Sequence, residues 1–97
     1  MITKYTELCI ICNRRASEVH HLCFGKGVRE LADADSLTAP FCEMCHDALH
    51  RGKETMLTQK MSRIIGQLAF EKNKVAEGID PDEAREMFRK RYGVSFL

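Results

Sequence analysis

The chain has no tryptophan, only two prolines and no apolar run near the roughly 18 residues that a membrane-spanning helix requires. A helical membrane protein is therefore not expected. No internal repeat, low-complexity tract or Gly/Ser linker interrupts the sequence. The opening "MITKYTELCIIC" lacks the charged, apolar and small-residue succession of a secretory signal, so a cytoplasmic setting with reduced thiols is expected. Net charge is only +1, which leaves nucleic-acid binding to be argued from local charge rather than from bulk charge. Residues 51–74 carry Arg51, Lys53, Lys60, Arg63, Lys72 and Lys74 against Glu54 and Glu71, a pattern that fits either a basic face or an ordinary solvated helix surface.

What is present is cysteine and histidine in tight groups. A chain of 97 residues buries a small core and commonly needs a staple. Five cysteines in a reducing compartment read as metal ligands more readily than as disulfides, and their odd number argues against a complete disulfide framework.

Short extended pieces are expected at residues 5–12 and 16–24 around a turn at Asn13-Arg14-Arg15, then a loop, "GKGVRELADADS", to about Ser36. "LTAPF" reads as another short strand, and its Pro40 disfavours a central sheet position. From about Cys45, "CHDALH" can form a short helix ending near Gly52, and a longer helix fits residues 55–73. There Leu57, Met61, Ile64, Ile65 and Leu68 share one face, which serves as a packing face or an oligomer seam. The last helix is the best punctuated. Asp80 can cap it, Pro81 suits its first position, Glu83 completes a capping box, Ala84, Met87, Phe88 and Arg91 share a face, and Gly93 ends it.

Cys9 with Cys12, and Cys42 with Cys45, form two C-x2-C pairs. Each pair can hook a tetrahedral ion from a tight turn, because two intervening residues let both sulfurs point inward at Zn–S distances of about 2.3 Å. Four thiolates complete a structural zinc site. Cys23 is left over, either as a packing residue or as an oxidation-sensitive thiol.

The four histidines are then surplus to that site. His46 and His50 stand at i and i+4, on one face of the short helix, and His20 and His21 end a strand. Two helix residues and one strand residue make a plausible three-ligand metal site with open positions. Adjacent strand residues point to opposite faces, so the His20-His21 pair suggests a division of labour between a ligand and a general base.

The combination of two C-x2-C pairs, "EVHHL", "LTAPFC" and H-x3-H over residues 9–50 resembles the HNH, or His-Me finger, nucleases that carry a four-cysteine zinc site. "QLAFEKN" and "MFRKRYGVSFL" are more loosely similar to the tails of small phage-type members, including those related to recombination-enhancement nucleases. The resemblance implies an α+β fold, with a zinc-stabilised, treble-clef-like ββα-metal core over residues 1–54 and a helical extension over 55–97 packed on it. It implies a metal-dependent endonuclease acting on phosphodiesters, with DNA the expected partner, in a bacterial host cell if the source is a phage or prophage. By position His21 matches the general base, and His20, His46 and His50 match ligands of a catalytic divalent cation: Mg2+, Mn2+, Ni2+ or Zn2+. The family's central Asn has no equivalent here. Ser36 occupies the approximate position with Asp35 beside it, and either could orient the base. Arg29 is a candidate phosphate contact.

Two rivals belong to other classes. One is a non-catalytic zinc module that binds DNA or a partner protein; in the other, His46 replaces a cysteine as a structural ligand and one ion serves the whole chain. The helical extension leaves monomer and homodimer both open.

Overall fold

The computed structural model describes residues 1–53 and 57–97. Among the described residues the architecture is α+β, a two-stranded antiparallel sheet with four helices. Among the described residues no helix is long and apolar enough to cross a membrane.

Residues 5–12 are not extended as expected; they form the first C-x2-C turn. The Asn13 N–H donates to the Cys9 carbonyl at 2.9 Å, the Cys9 N–H donates to the Arg14 carbonyl at 2.7 Å, and Leu8 bridges Arg15. Asn13 takes φ 64°, a left-handed conformation that asparagine tolerates because its short amide side chain can bond locally. Turn geometry that faces two sulfurs inward competes with extension here, and it wins.

Strand β1 (Glu18–His21) pairs with β2 (Thr38–Phe41), His20 opposite Ala39 and Val19 opposite Pro40. Pro40 lacks a donor, but in a two-stranded sheet it occupies an edge, where its carbonyl accepts from Ile10 at 3.0 Å. Between the strands lies helix α1 (Arg29–Ala34), where a loop is expected from sequence. Gly27 at φ 77° ends the preceding turn, and "RELADA" contains helix formers too few to show a period.

Helix α2 (Glu43–His50) begins two residues before Cys45, because Cys42 caps it: its sulfur accepts from the Cys45 N–H at 3.4 Å. Gly52 at φ 67° follows its end. Helix α3 (Gln59–Ala76) is capped by Thr58, whose hydroxyl accepts from the Met61 N–H at 3.1 Å. Residue 55, where the sequence starts this helix, lies outside the described residues. Helix α4 (Pro81–Tyr92) has the expected punctuation, with the Asp80 carboxylate accepting from Asp82 and Glu83 N–H groups and Gly93 at φ 82°.

Two small cores result. Leu22, Ala39, Phe41, Leu49 and Leu57 pack between the sheet and α2; Cys23, Ala32, Leu37, Phe70 and Phe88 pack among α1, α3 and α4. The adjacent residues Leu22 and Cys23 thus enter different cores. The expected stripe packs only in part: Leu57 is buried in the first core and Ile65 packs against it, but Met61 and Leu68 are about half exposed, at 46% and 50%, whereas Ser62, Gly66, Gln67 and Phe70 are buried. The cause is a close approach. A Cβ on Gly66 would lie 2.7 Å from Cys23 Sγ and 3.2 Å from Leu22 Cβ, so small residues, not the apolar ones, form the face that meets the end of β1.

Candidate functional site

The sulfurs of Cys9, Cys12, Cys42 and Cys45 all lie within 4.8 Å of one another, and Cys12 and Cys42 are 3.6 Å apart. The first pair comes from the Asn13 turn and the second from the start of α2. Burial raises the Cys9 thiol, but backbone N–H groups of Cys12, Cys42 and Ile11 outweigh it and bring Cys9 down to about 7. Four converging sulfurs, one already disposed to ionise, fit a tetrahedral zinc-like ion.

The second group is His20, His46 and His50, each offering a ring nitrogen within 4.8 Å of the others. His46 therefore belongs here, and the single-metal arrangement in which it replaces a cysteine loses its basis. His46 Nδ1 lies 2.5 Å from Glu18 Oε1, so the carboxylate accepts the Nδ1 proton and leaves Nε2 as the basic atom. That Nε2 faces His50 Nε2 at 3.1 Å. His20 is fully buried; its Nε2 lies 2.8 Å from Ser62 Oγ, and among the described residues its Nδ1 has no hydrogen-bond partner. A buried nitrogen without a partner beside two facing imidazole nitrogens fits a metal ion, which needs neutral imidazole lone pairs. Burial first, then the neighbouring His46, His50 and His21, holds the His20 imidazole down to about 3 and so keeps it neutral.

His21, at the end of β1, lines a cavity of about 410 Å³ together with Phe24, Gly25, Arg29, His46 and His50. Its Nε2 lies 2.8 Å from Asp33 Oδ1 on α1. The side chain hydrogen-bonded to His21 is thus Asp33, rather than the Ser36 or Asp35 expected from sequence. Ser36 sits at φ 59° in the turn after α1 and lines a different depression, with Asn73 and Glu77 of the α3 end. Asp35 Oδ2 accepts instead from Arg91 Nε at 2.7 Å and from the Tyr92 hydroxyl at 2.6 Å, tying α1 to α4.

Arg29 lines this cavity, and Arg63 of α3 stands beside it, its guanidinium 4.1 Å above the ring of Phe24, which also lines it. His50 is held below its ordinary value by burial first, then by His46, Arg29 and Arg63. Arg51 and Lys74, by contrast, pair with Asp47 and Glu77. Cys23 is buried and pushed up to about 11 by that burial, a packing thiol with little thiolate character.

The motif spacing alone does not draw Glu18, Asp33, Ser62 or Arg63 to the histidines. Glu18 left a usable signal, since i and i+2 of a strand share a face with His20. Asp33, Ser62 and Arg63 left none, because tertiary packing brings them in.

The chain matches, over residues 3–78, the family described as Protein of unknown function (DUF968). It belongs to the DUF968 family. The matched span takes in both side-chain clusters and all of α3, and leaves α4 outside. No curated protein and no solved structure matches this DUF968 chain.

Proposed function

We propose that this DUF968 protein is a metal-dependent endonuclease of the HNH type, hydrolysing phosphodiester bonds in nucleic acid, with DNA the expected polymer. One observation carries the reading: three imidazoles converge in a metal-compatible group, and a fourth, His21, opens on the same cavity with a carboxylate behind it. Structural binding alone needs no base beside the ligands.

In this reading the four cysteines hold a structural zinc that fixes the start of α2, and hence His46 and His50, against β1. His20, His46 and His50 would hold a divalent cation, which would supply Lewis-acid stabilisation of the charge on the scissile phosphate and the departing 3′ oxygen. His21 takes the proton of the attacking water. Asp33 accepts from His21 Nε2–H, which orients the ring and leaves Nδ1 as the basic nitrogen. Arg29, which lines the cavity, pairs with a phosphate oxygen, a contact that positions the backbone without reading bases.

The test is plasmid nicking with Mg2+, Mn2+, Ni2+ or Zn2+, wild type against His21→Ala. Cleavage by the wild type and its loss in the variant are expected. A wild type that never cuts supports the non-catalytic zinc module instead, and cutting that survives His21→Ala removes the assigned base.

A further inference from the structure

We infer that Ser62 is a positioning residue of the histidine site: its hydroxyl fixes the tautomer of His20, so that Nδ1 presents its lone pair beside His46 and His50. The inference rests on the metal reading of the three histidines. It concerns a residue of α3, outside the span of cysteine and histidine motifs from which the nuclease reading starts.

The argument is one of proton counting. Ser62 Oγ carries a single proton and lies 2.8 Å from the Leu22 carbonyl oxygen and 2.8 Å from His20 Nε2. A carbonyl can only accept, so the hydroxyl proton goes to Leu22. The Oγ lone pair then faces Nε2, which must donate and therefore holds the proton. A neutral imidazole protonated at Nε2 is bare at Nδ1, the buried atom for which the described residues offer no partner. The reverse order fails at both ends. It would leave a lone pair of Oγ facing the Leu22 carbonyl at contact distance and place a proton on a buried Nδ1 with nothing to receive it, each a loss of about 1–3 kcal/mol.

The position of Ser62 is itself built. Gly66 stands one turn further along α3, on the same face, and its lack of a side chain lets the helix meet Leu22 and Cys23 closely. The pattern Ser-x-x-x-Gly thus brings a hydroxyl to the end of β1, where Leu22 and His20 are two residues apart. Glu18 acts in parallel on His46, so two of the three histidines have their free nitrogen chosen by a partner behind the ring.

The experiment uses the full chain with the cysteine site loaded and the histidine site stripped by mild chelation. Imidazole 15N correlation spectra report the His20 tautomer directly, and Co2+ titration reports affinity at the histidines. The wild type is expected to show the Nε2–H form. Ser62→Ala should shift His20 toward the Nδ1–H form and weaken Co2+ binding by roughly 10- to 100-fold, and Ser62→Thr, which retains the hydroxyl, should restore both. A wild-type His20 in the Nδ1–H form overturns the inference without need of any variant. So does a folded Ser62→Ala with unchanged tautomer and Co2+ affinity. If the wild type takes up no ion at the histidines, the metal reading fails, while the spectra still judge the Ser62 contact separately.

Discussion

His21 Nε2 and Asp33 Oδ1 lie 2.8 Å apart, joining the end of β1 to the helix that follows it. A carboxylate there accepts the Nε2 proton and so selects one imidazole tautomer, which in the proposed mechanism leaves Nδ1 as the base. Asp33→Ala should lower the nicking rate by roughly 10²-fold, inside the 10²–10⁴ that positioned proton transfer contributes, while metal content stays at the wild-type level. Ser36→Ala, remote from His21, should leave the rate unchanged. Equal losses in the two variants would show that the turn as a whole, rather than the carboxylate, supports the base.

What could be read from the sequence follows from how local each signal is. Helix α4 carries its own punctuation in Asp80, Pro81 and Gly93, and the two histidine-bearing elements announce themselves by spacing. Helix α1 is only 6 residues long, too short for a periodic pattern, and so its span resembles a loop. The packing face of α3 misleads because apolar periodicity points to Met61 and Leu68, whereas close approach selects Ser62 and Gly66. Asp33 stands 12 residues from His21, and Ser62 stands 42 residues from His20; both partnerships are products of the fold.

The two metal-compatible clusters should fail in order. Cys42 is both a member of the cysteine group and the cap of α2, the helix that carries His46 and His50. Removing its sulfur therefore disturbs both groups, and metal-linked folding energy is lost with it. Cys42→Ala is expected to give a chain that binds neither ion and has lost most of its cooperative thermal transition. His50→Ala, in contrast, should lose only the chelator-labile ion. Metal content by mass spectrometry, with thermal melts of each variant, checks the asymmetry; a Cys42→Ala chain that keeps the histidine-site ion would contradict it.

Acid should destabilise the chain stripped of its labile ion through His20. Burial, with the charges of His46, His50 and His21, holds its folded value at about 3, below the value of about 6.5 for an exposed imidazole. Between those values the unfolded chain binds a proton that the folded one refuses. The stability in question is fully present above pH 6.5, falls as pH drops through the window, and stops falling below about 3. Urea midpoints from pH 8 to pH 4 should therefore fall more steeply for wild type than for His20→Gln, which has no such proton to take up. Parallel profiles would mean that His20 is not the group responsible.

Gly66 offers a test of the packing that places α3. An added methyl at this position meets Cys23 Sγ at 2.7 Å and Leu22 Cβ at 3.2 Å, inside ordinary contact distance, and both neighbours are buried. Gly66→Ala gains helix propensity but overpacks the joint, for an expected net loss of about 1–3 kcal/mol. Cys23→Ala removes the nearer atom, so the same substitution should cost less in that background, giving a coupling of at least about 0.5 kcal/mol in a double-mutant cycle. The Leu22 contact remains in both backgrounds, so relief is expected to be partial. Urea denaturation of the four proteins supplies the cycle, and strict additivity would show that α3 shifts away from β1 instead of pressing on the Cys23 sulfur. In that event Ser62 would move with the helix, and the His20 tautomer of Gly66→Ala should change along with its stability.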